Sequence, residues 1–163
     1  MSMSVRDRIV AILNQSNVKF EEYHHQPCAS SEESARTRKD AGAGDTVGAK
    51  ALLVRNKKSN LYSVCVIPGH MRLNSKALRK VIGKNTFASS AEMESVTGGL
   101  KPGHMPPFGS LVFSEVTNLI VDSNMPTYNK IGFNAGDPRI SIVLSGEDYF
   151  GVCEDNCILQ SIC

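Results

Sequence analysis

Ala51-Leu52-Leu53-Val54 and Tyr62-Ser63-Val64-Cys65-Val66-Ile67 are two apolar runs separated by the polar stretch Asn56-Lys57-Lys58-Ser59-Asn60. Short runs of this kind, parted by turn formers, predict a β-hairpin. A hairpin pairs its strands antiparallel, whereas parallel strands need a long crossover. The pattern therefore points away from a doubly wound parallel sheet and towards a mixed α/β fold.

Working outward, Val5, Ile9, Ile12 and Leu13 recur at helical spacing and predict a helix over residues 4–16. Phe20 to Tyr23 alternates as a short strand. Ser30 and Glu33 form a capping-box pattern that opens a helix through Lys39, followed by a loop over Ala41–Asp45. On the other side, Asn74 or Ser75 caps a helix that ends at Gly83 and buries Leu78, Val81 and Ile82. Ser89 and Glu92 form a second capping box, and that helix stops at Gly98-Gly99. Short strands are expected at Ser110–Phe113, Leu119–Val121, Thr127–Ile131 and Ile140–Leu144, then a brief helix from Ser145. The expected fold is one mixed α/β domain over residues 1–163, a mostly antiparallel or mixed sheet flanked by helices.

The composition restricts the function classes. The chain has 163 residues, 41% hydrophobic and 21% charged, with a net charge of +2. That balance suits a globular protein and is too weakly basic for general nucleic-acid coating. RNA contact would need local patches: Arg36-Thr37-Arg38-Lys39, Lys57-Lys58, or Arg72, Lys76, Arg79, Lys80 and Lys84. No stretch approaches the roughly 20 apolar residues of a membrane span. The N-terminus leads directly into the first helix, so a cytoplasmic location is expected. Five cysteines form no paired framework. Cys153-x-x-x-Cys157 lacks the second ligand pair of a structural zinc site, and no metal or organic cofactor is expected.

Two features carry chemistry. Gly98-Gly99-Leu100-Lys101-Pro102-Gly103, followed closely by Pro106-Pro107-Phe108-Gly109, suits neither helix nor central strand. Glycine lets main chain approach a bound group without a Cβ clash. The segment is either a rigid connector or a loop whose N–H and C=O groups hold a small polar ligand. The second feature is Lys50, in Gly48-Ala49-Lys50-Ala51-Leu52, at the mouth of an apolar strand. An ammonium there costs free energy unless a ligand or partner compensates it, or unless it snorkels to water.

Further segments complete an ordered series: Tyr23-His24-His25-Gln26-Pro27 with Ser30-Ser31-Glu32-Glu33, Ala49-Lys50-Ala51-Leu52-Leu53, Val66-Ile67-Pro68-Gly69-His70-Met71-Arg72-Leu73-Asn74, Gly99 to Gly103, Pro107-Phe108-Gly109, and Gly132-Phe133-Asn134-Ala135-Gly136. This series, over about residues 20–148, resembles the YbaK/ProX family of aminoacyl-tRNA deacylases. That family is related to the editing insertion of bacterial prolyl-tRNA synthetases. The resemblance implies a compact α/β domain that hydrolyses the ester between a mischarged amino acid and tRNA. It implies that Lys50 is the essential lysine and that Gly99, Leu100, Lys101, Pro102 and Gly103 form the substrate loop. His25, Ser31, Phe108, Gly109, Asn134, Ala135 and Gly136 are further candidate substrate contacts. His70 departs from the acidic residue more usual in the family.

The chemistry agrees with the resemblance. Ester hydrolysis passes through a tetrahedral oxyanion, which a fixed cation and backbone N–H groups stabilise in a dry pocket. Lys50 would orient the ester and polarise its carbonyl, with water attacking. One methylene changes affinity by only about 1–3 kcal/mol, so a small pocket accepts several small amino acids. The expected partner is the acceptor end of a misacylated tRNA, most plausibly tRNA for proline, with an aminoacyl-tRNA synthetase as a second. A non-catalytic tRNA- or synthetase-binding module of the same fold is the alternative. A redox protein using Cys153 and Cys157 is a third reading, whose activity would survive Lys50→Ala.

Overall fold

Strand β2 (Val47–Asn56) is the spine of the molecule. The computed structural model describes residues 3–28 and 31–163, with the side chain of Ser31 outside the description. Along Ala49–Arg55, β2 pairs antiparallel with β3 (Tyr62–Pro68), the hairpin predicted above. Asn56 closes the turn, its Oδ1 accepting from the N–H groups of Lys58 and Ser59 at 2.9 Å.

The other edge of β2 meets two different strands. β6 (Ile131–Asn134) runs parallel to it but pairs only at Val47 and Gly48. β4 (Asn85–Phe87) runs antiparallel and pairs at Val54, Arg55 and Asn56. Beyond β6 lie β7 (Ile140–Leu144) and β1 (Glu21–His24), both antiparallel to their neighbours. Beyond β3 lie β5 (Val116–Asp122) and β8 (Ile158–Gln160), both parallel to theirs. The order is β1-β7-β6-β2-β3-β5-β8, with β4 on the interrupted edge of β2. The mixed sheet expected from the hairpin is what forms.

Alternation along β2 divides the core. Ala49, Ala51 and Leu53 join the larger cluster with Val64, Val66, Phe108 and Phe133, closed by Ile9 and Leu13 of α1 (Val5–Gln15). Val54 faces the other way, into a smaller cluster with Cys65, Ile67 and Leu78 of α3 (Ser75–Ile82). By the period of two, Lys50 and Leu52 share that second face.

Helix ends follow local chemistry. Ser4 caps α1 by accepting from Asp7 N–H, and Asn74 caps α3 by accepting from Ala77 N–H. α4 (Ser90–Thr97) has both bonds of the Ser89–Glu92 capping box. α2 covers Ser31–Arg38, and its expected Ser30 cap lies outside the described residues. The expected Ala41–Asp45 loop is partly a π-type turn, Lys39–Ala43. α5 (Gly146–Cys153) outruns the brief helix expected, because Tyr149 and Cys153 anchor it in the core.

Some expected strands do not form. Ser110–Phe113 is a 3-10 turn (Gly109–Leu111), with Val112 and Phe113 buried directly behind it. Thr127 ends another 3-10 turn, and the strand expected from it starts only at Ile131. Burial raises the thiols of Cys65, to about 12, and of Cys153. Cys153 is thus held as an unreactive core thiol, which removes support for a redox role.

Candidate active site

The interruption between β6 and β4 opens into a cavity of about 420 Å³. Five consecutive residues, Gly48 to Leu52, line it. Successive strand side chains point to opposite faces, so the cavity meets β2 edge-on. In an antiparallel ladder alternate residues direct both main-chain groups at the partner. Gly48 C=O accepts from Gly69 N–H, and Asn56 N–H donates to Leu61 C=O, which assigns the even-numbered residues to β3. The N–H and C=O of Ala51 therefore face the cavity. Neighbouring groups on that edge are taken: Val47 N–H by Lys130 C=O, and Leu53 C=O by Ala88 N–H.

Lys50 lies on this wall, exposed, and among the described residues it has no hydrogen-bond or ion-pair partner. Arg38, at the end of α2, contributes a second cation. It is only 3% exposed, and among the described residues no carboxylate pairs with it. Desolvation pulls its guanidinium down to about 10, so it remains charged at neutral pH. Its stem lies across Gly132, where an added Cβ would sit 2.8 Å from Cδ and 3.0 Å from Nε. A Cβ on Gly48 would lie 3.9 Å from its Nη1. Lys50 follows Gly48 on the same face, about 7 Å further along the strand. Among the described residues no Asp or Glu lines the cavity.

A chain of bonds running inward from the surface fixes Arg38. Its Nε donates to Ser141 Oγ at 2.9 Å, and Ser141 Oγ lies 2.6 Å from His25 Nε2. His25 Nδ1 is 2.8 Å from Gln26 C=O, an acceptor, so Nδ1 carries hydrogen and Nε2 accepts the Ser141 hydroxyl. His25 does not line the cavity; it is linked to Arg38 through Ser141.

The opposite wall is the turn Lys101-Pro102-Gly103-His104. His104 N–H donates to Lys101 C=O at 3.1 Å, and Gly103 has φ 93°. Proline followed by a positive-φ glycine is the sequence of a type II turn. Pro102, Gly103, His104 and Met105 line the cavity; Gly99, Leu100 and Lys101 do not. Gly99 and Leu100 serve the end of α4 instead, their N–H groups donating to Glu94 C=O and Thr97 Oγ1.

The remaining expected contacts divide. Asn134 lines the cavity with Phe133 and Gly132. Ala135 is fully buried in the core, and a Cβ on Gly136 would lie 2.6 Å from Val5, so both serve packing. Phe108 is fully buried, its ring edge-on to Phe133 and Tyr149, and Gly109 packs on Leu119. These positions pack the core and do not line the cavity. The Ser31 side chain lies outside the described residues. Sequence reasoning missed Arg38 as a cavity residue, along with Ser34 one turn before it and Cys28. The available signal was Gly132, a glycine inside a strand, which marks close approach by another group.

Residues 25–151 match the family model described as the aminoacyl-tRNA editing domain. The chain belongs to that family. It is an aminoacyl-tRNA deacylase, a hydrolase of ester bonds whose substrate class is misacylated tRNA. A curated relative, the multifunctional Ser/Thr-tRNA deacylase ProXp-y of Escherichia coli (strain K12), is 26% identical over 156 residues, covering 93% of this chain and 89% of the relative. The solved structure of APE2540 superposes with a TM-score of 0.78 at 18% identity, covering 95% of this chain and 98% of that one. A protein proposed as a trans-editing enzyme for prolyl tRNA synthetase gives 0.71 at 18% identity, covering 99% and 98%. At these identities the two structures establish the fold. Among the described residues no helix is long and apolar enough to cross a membrane.

Proposed function

We propose that the chain removes a small amino acid from mischarged tRNA, with the ester held between Lys50, Arg38 and the turn at Pro102-Gly103. One observation carries this reading: two cations without a carboxylate partner among the described residues line the same cavity as an open strand edge. A buried cation left unpaired by the protein is costly, and an oxyanion is the charge that would relieve it. Water attacks the ester carbonyl, and the new oxyanion is stabilised by the cations and by Ala51 N–H. Collapse breaks the bond to the ribose oxygen, which leaves with the proton given up by the water. His104, the one imidazole lining the cavity among the described residues, is the candidate to carry that proton.

A cavity of about 420 Å³ falls at the small end of ligand sites and suits a terminal nucleoside with a short acyl chain. The polar Ser34 and Asn134 beside Met105 and Phe133 fit a hydroxylated side chain, and the relative's action on Ser- and Thr-tRNA supports serine and threonine. tRNA for proline is the proposed carrier, supported by the family resemblance, and association with a synthetase is proposed on the same ground. The test is a panel of seryl-, threonyl-, alanyl- and cysteinyl-tRNA, including tRNA for proline as carrier, assayed for free amino acid. Turnover by wild type that is lost in Lys50→Ala supports the reading. Binding without turnover would reduce the chain to an adaptor.

A further inference from the structure

From Thr46 to Ala91 the chain has no aspartate or glutamate but holds nine of its 18 lysines and arginines. The small net charge conceals this block. Arg55 is paired with Glu92, while among the described residues the cations of α3 and of the β2–β3 turn have no carboxylate partner. The structure divides these cations. Arg72 borders a separate hollow, whereas Lys57, Arg79 and Lys84 line one groove of about 530 Å³ between α3, the turn and β4. Phe87 lies in the same groove with 61% of its surface exposed. The framework is fixed, since Lys57 N–H donates to Lys84 C=O at 2.9 Å.

The groove is in line with the cavity. Phe87 pairs with Val54 in the ladder, and paired residues project from the same face. Val54, Leu52 and Lys50 share that face, so Phe87 and Lys50 look out on the same side of the sheet. Asn56, the partner of Asn85, stands six strand steps beyond Lys50, a span of about 20 Å. That is the length of about six stacked nucleotides at about 3.4 Å each, and of fewer where the strand is extended.

We infer that this groove seats phosphates of the tRNA acceptor strand as it runs away from the ester at Lys50, with Phe87 as a stacking surface for an unpaired base. The inference rests on the proposed function, and it adds a second, chemically distinct contact. Cations held on a fixed framework suit phosphate, and an exposed ring among them suits a base, which an acidic protein surface would not need.

The test uses the full chain, with Lys57, Arg79 and Lys84 all changed to Gln, on two substrates: a mischarged tRNA and the same amino acid esterified to adenosine alone. The expected result is that the variant hydrolyses the adenosine ester as wild type does but shows a raised KM for tRNA. Its salt slope for tRNA should fall by about 2.7, about 0.9 for each phosphate no longer neutralised. Between 50 and 200 mM salt, wild-type affinity should then drop about 40-fold more than that of the variant. Phe87→Leu should weaken tRNA binding about tenfold. Unchanged KM and salt slope for tRNA in the triple variant would overturn the inference. So would loss of binding to an acidic protein with tRNA unaffected. If wild type cleaves neither ester, the proposed function fails, and filter binding of uncharged tRNA to both proteins decides the groove separately.

Discussion

At the Asn56 end of β2, Arg55 donates from Nε to Glu92 Oε2 and from Nη1 to Asn60 Oδ1, both at 3.0 Å. Tyr62 O–H donates to the same carboxylate oxygen at 2.7 Å, and Ser89 N–H donates to its other oxygen. Those donors hold the Glu92 carboxyl down to about 2. At the Val47 end, Arg38 is more deeply buried and is given a serine hydroxyl but no carboxylate among the described residues. One cluster is completed by the protein itself. The other has charge and open main chain that, under the proposed function, the ester would complete. The contrast separates a cluster that holds the fold together from the one to which the proposed function assigns the substrate.

The sharpest way to break this contrast is Lys50→Ala. Lys50 is exposed and, among the described residues, without a partner, so its loss should leave Tm unchanged while kcat/KM falls by about 10²–10³, the usual cost of removing one oxyanion donor. Arg38→Met comes next. Replacing a buried, unpaired charge by an apolar group of similar length is often neutral or stabilising. Tm should hold or rise while deacylation falls about 100-fold. A large drop in Tm would make Arg38 structural and erase the difference between the two ends. Gly132→Ala sharpens the same point, because its Cβ would meet Arg38 Cδ at 2.8 Å. A displaced guanidinium should lower kcat about tenfold with a smaller effect on KM.

The smallest expected effect belongs to the other end. Glu92→Gln should lower Tm by about 2–4 °C and leave kcat/KM alone. A carboxyl whose folded value lies below its ordinary 4.5 stabilises fully above that pH and loses the contribution as pH falls towards about 2. Acid unfolding of wild type should therefore steepen between about pH 4.5 and 2, and Glu92→Gln should flatten that limb.

Local signals made much of the fold legible. Periodicity revealed α1 and α3, turn chemistry the β2–β3 hairpin, and the Ser89–Glu92 pattern a capping box that is present in full. β4 and β8 are three residues each, too short for any period, and exist because a long neighbour offers an edge. Leu111-Val112-Phe113 has the apolarity of a strand, but Leu111 ends a 3-10 turn with Val112 and Phe113 buried behind it, and burial alone does not specify backbone shape. In the site, Lys50 and Pro102-Gly103 stand out because each contradicts its surroundings. Arg38 was hidden in a basic run, where nothing local distinguishes a buried guanidinium from its exposed neighbour Arg36. Only the topology, which brings Ser141 and Gly132 under α2, makes it a cavity residue.

The decisive measurement is single-turnover hydrolysis of seryl-tRNA by wild type and Lys50→Ala, with Tm recorded on the same samples. Equal melting temperatures and a rate lower by at least about 100-fold in the variant are the expected outcome. Wild-type rates in a folded Lys50→Ala protein would contradict it, and the open end of β2 would then have no catalytic meaning.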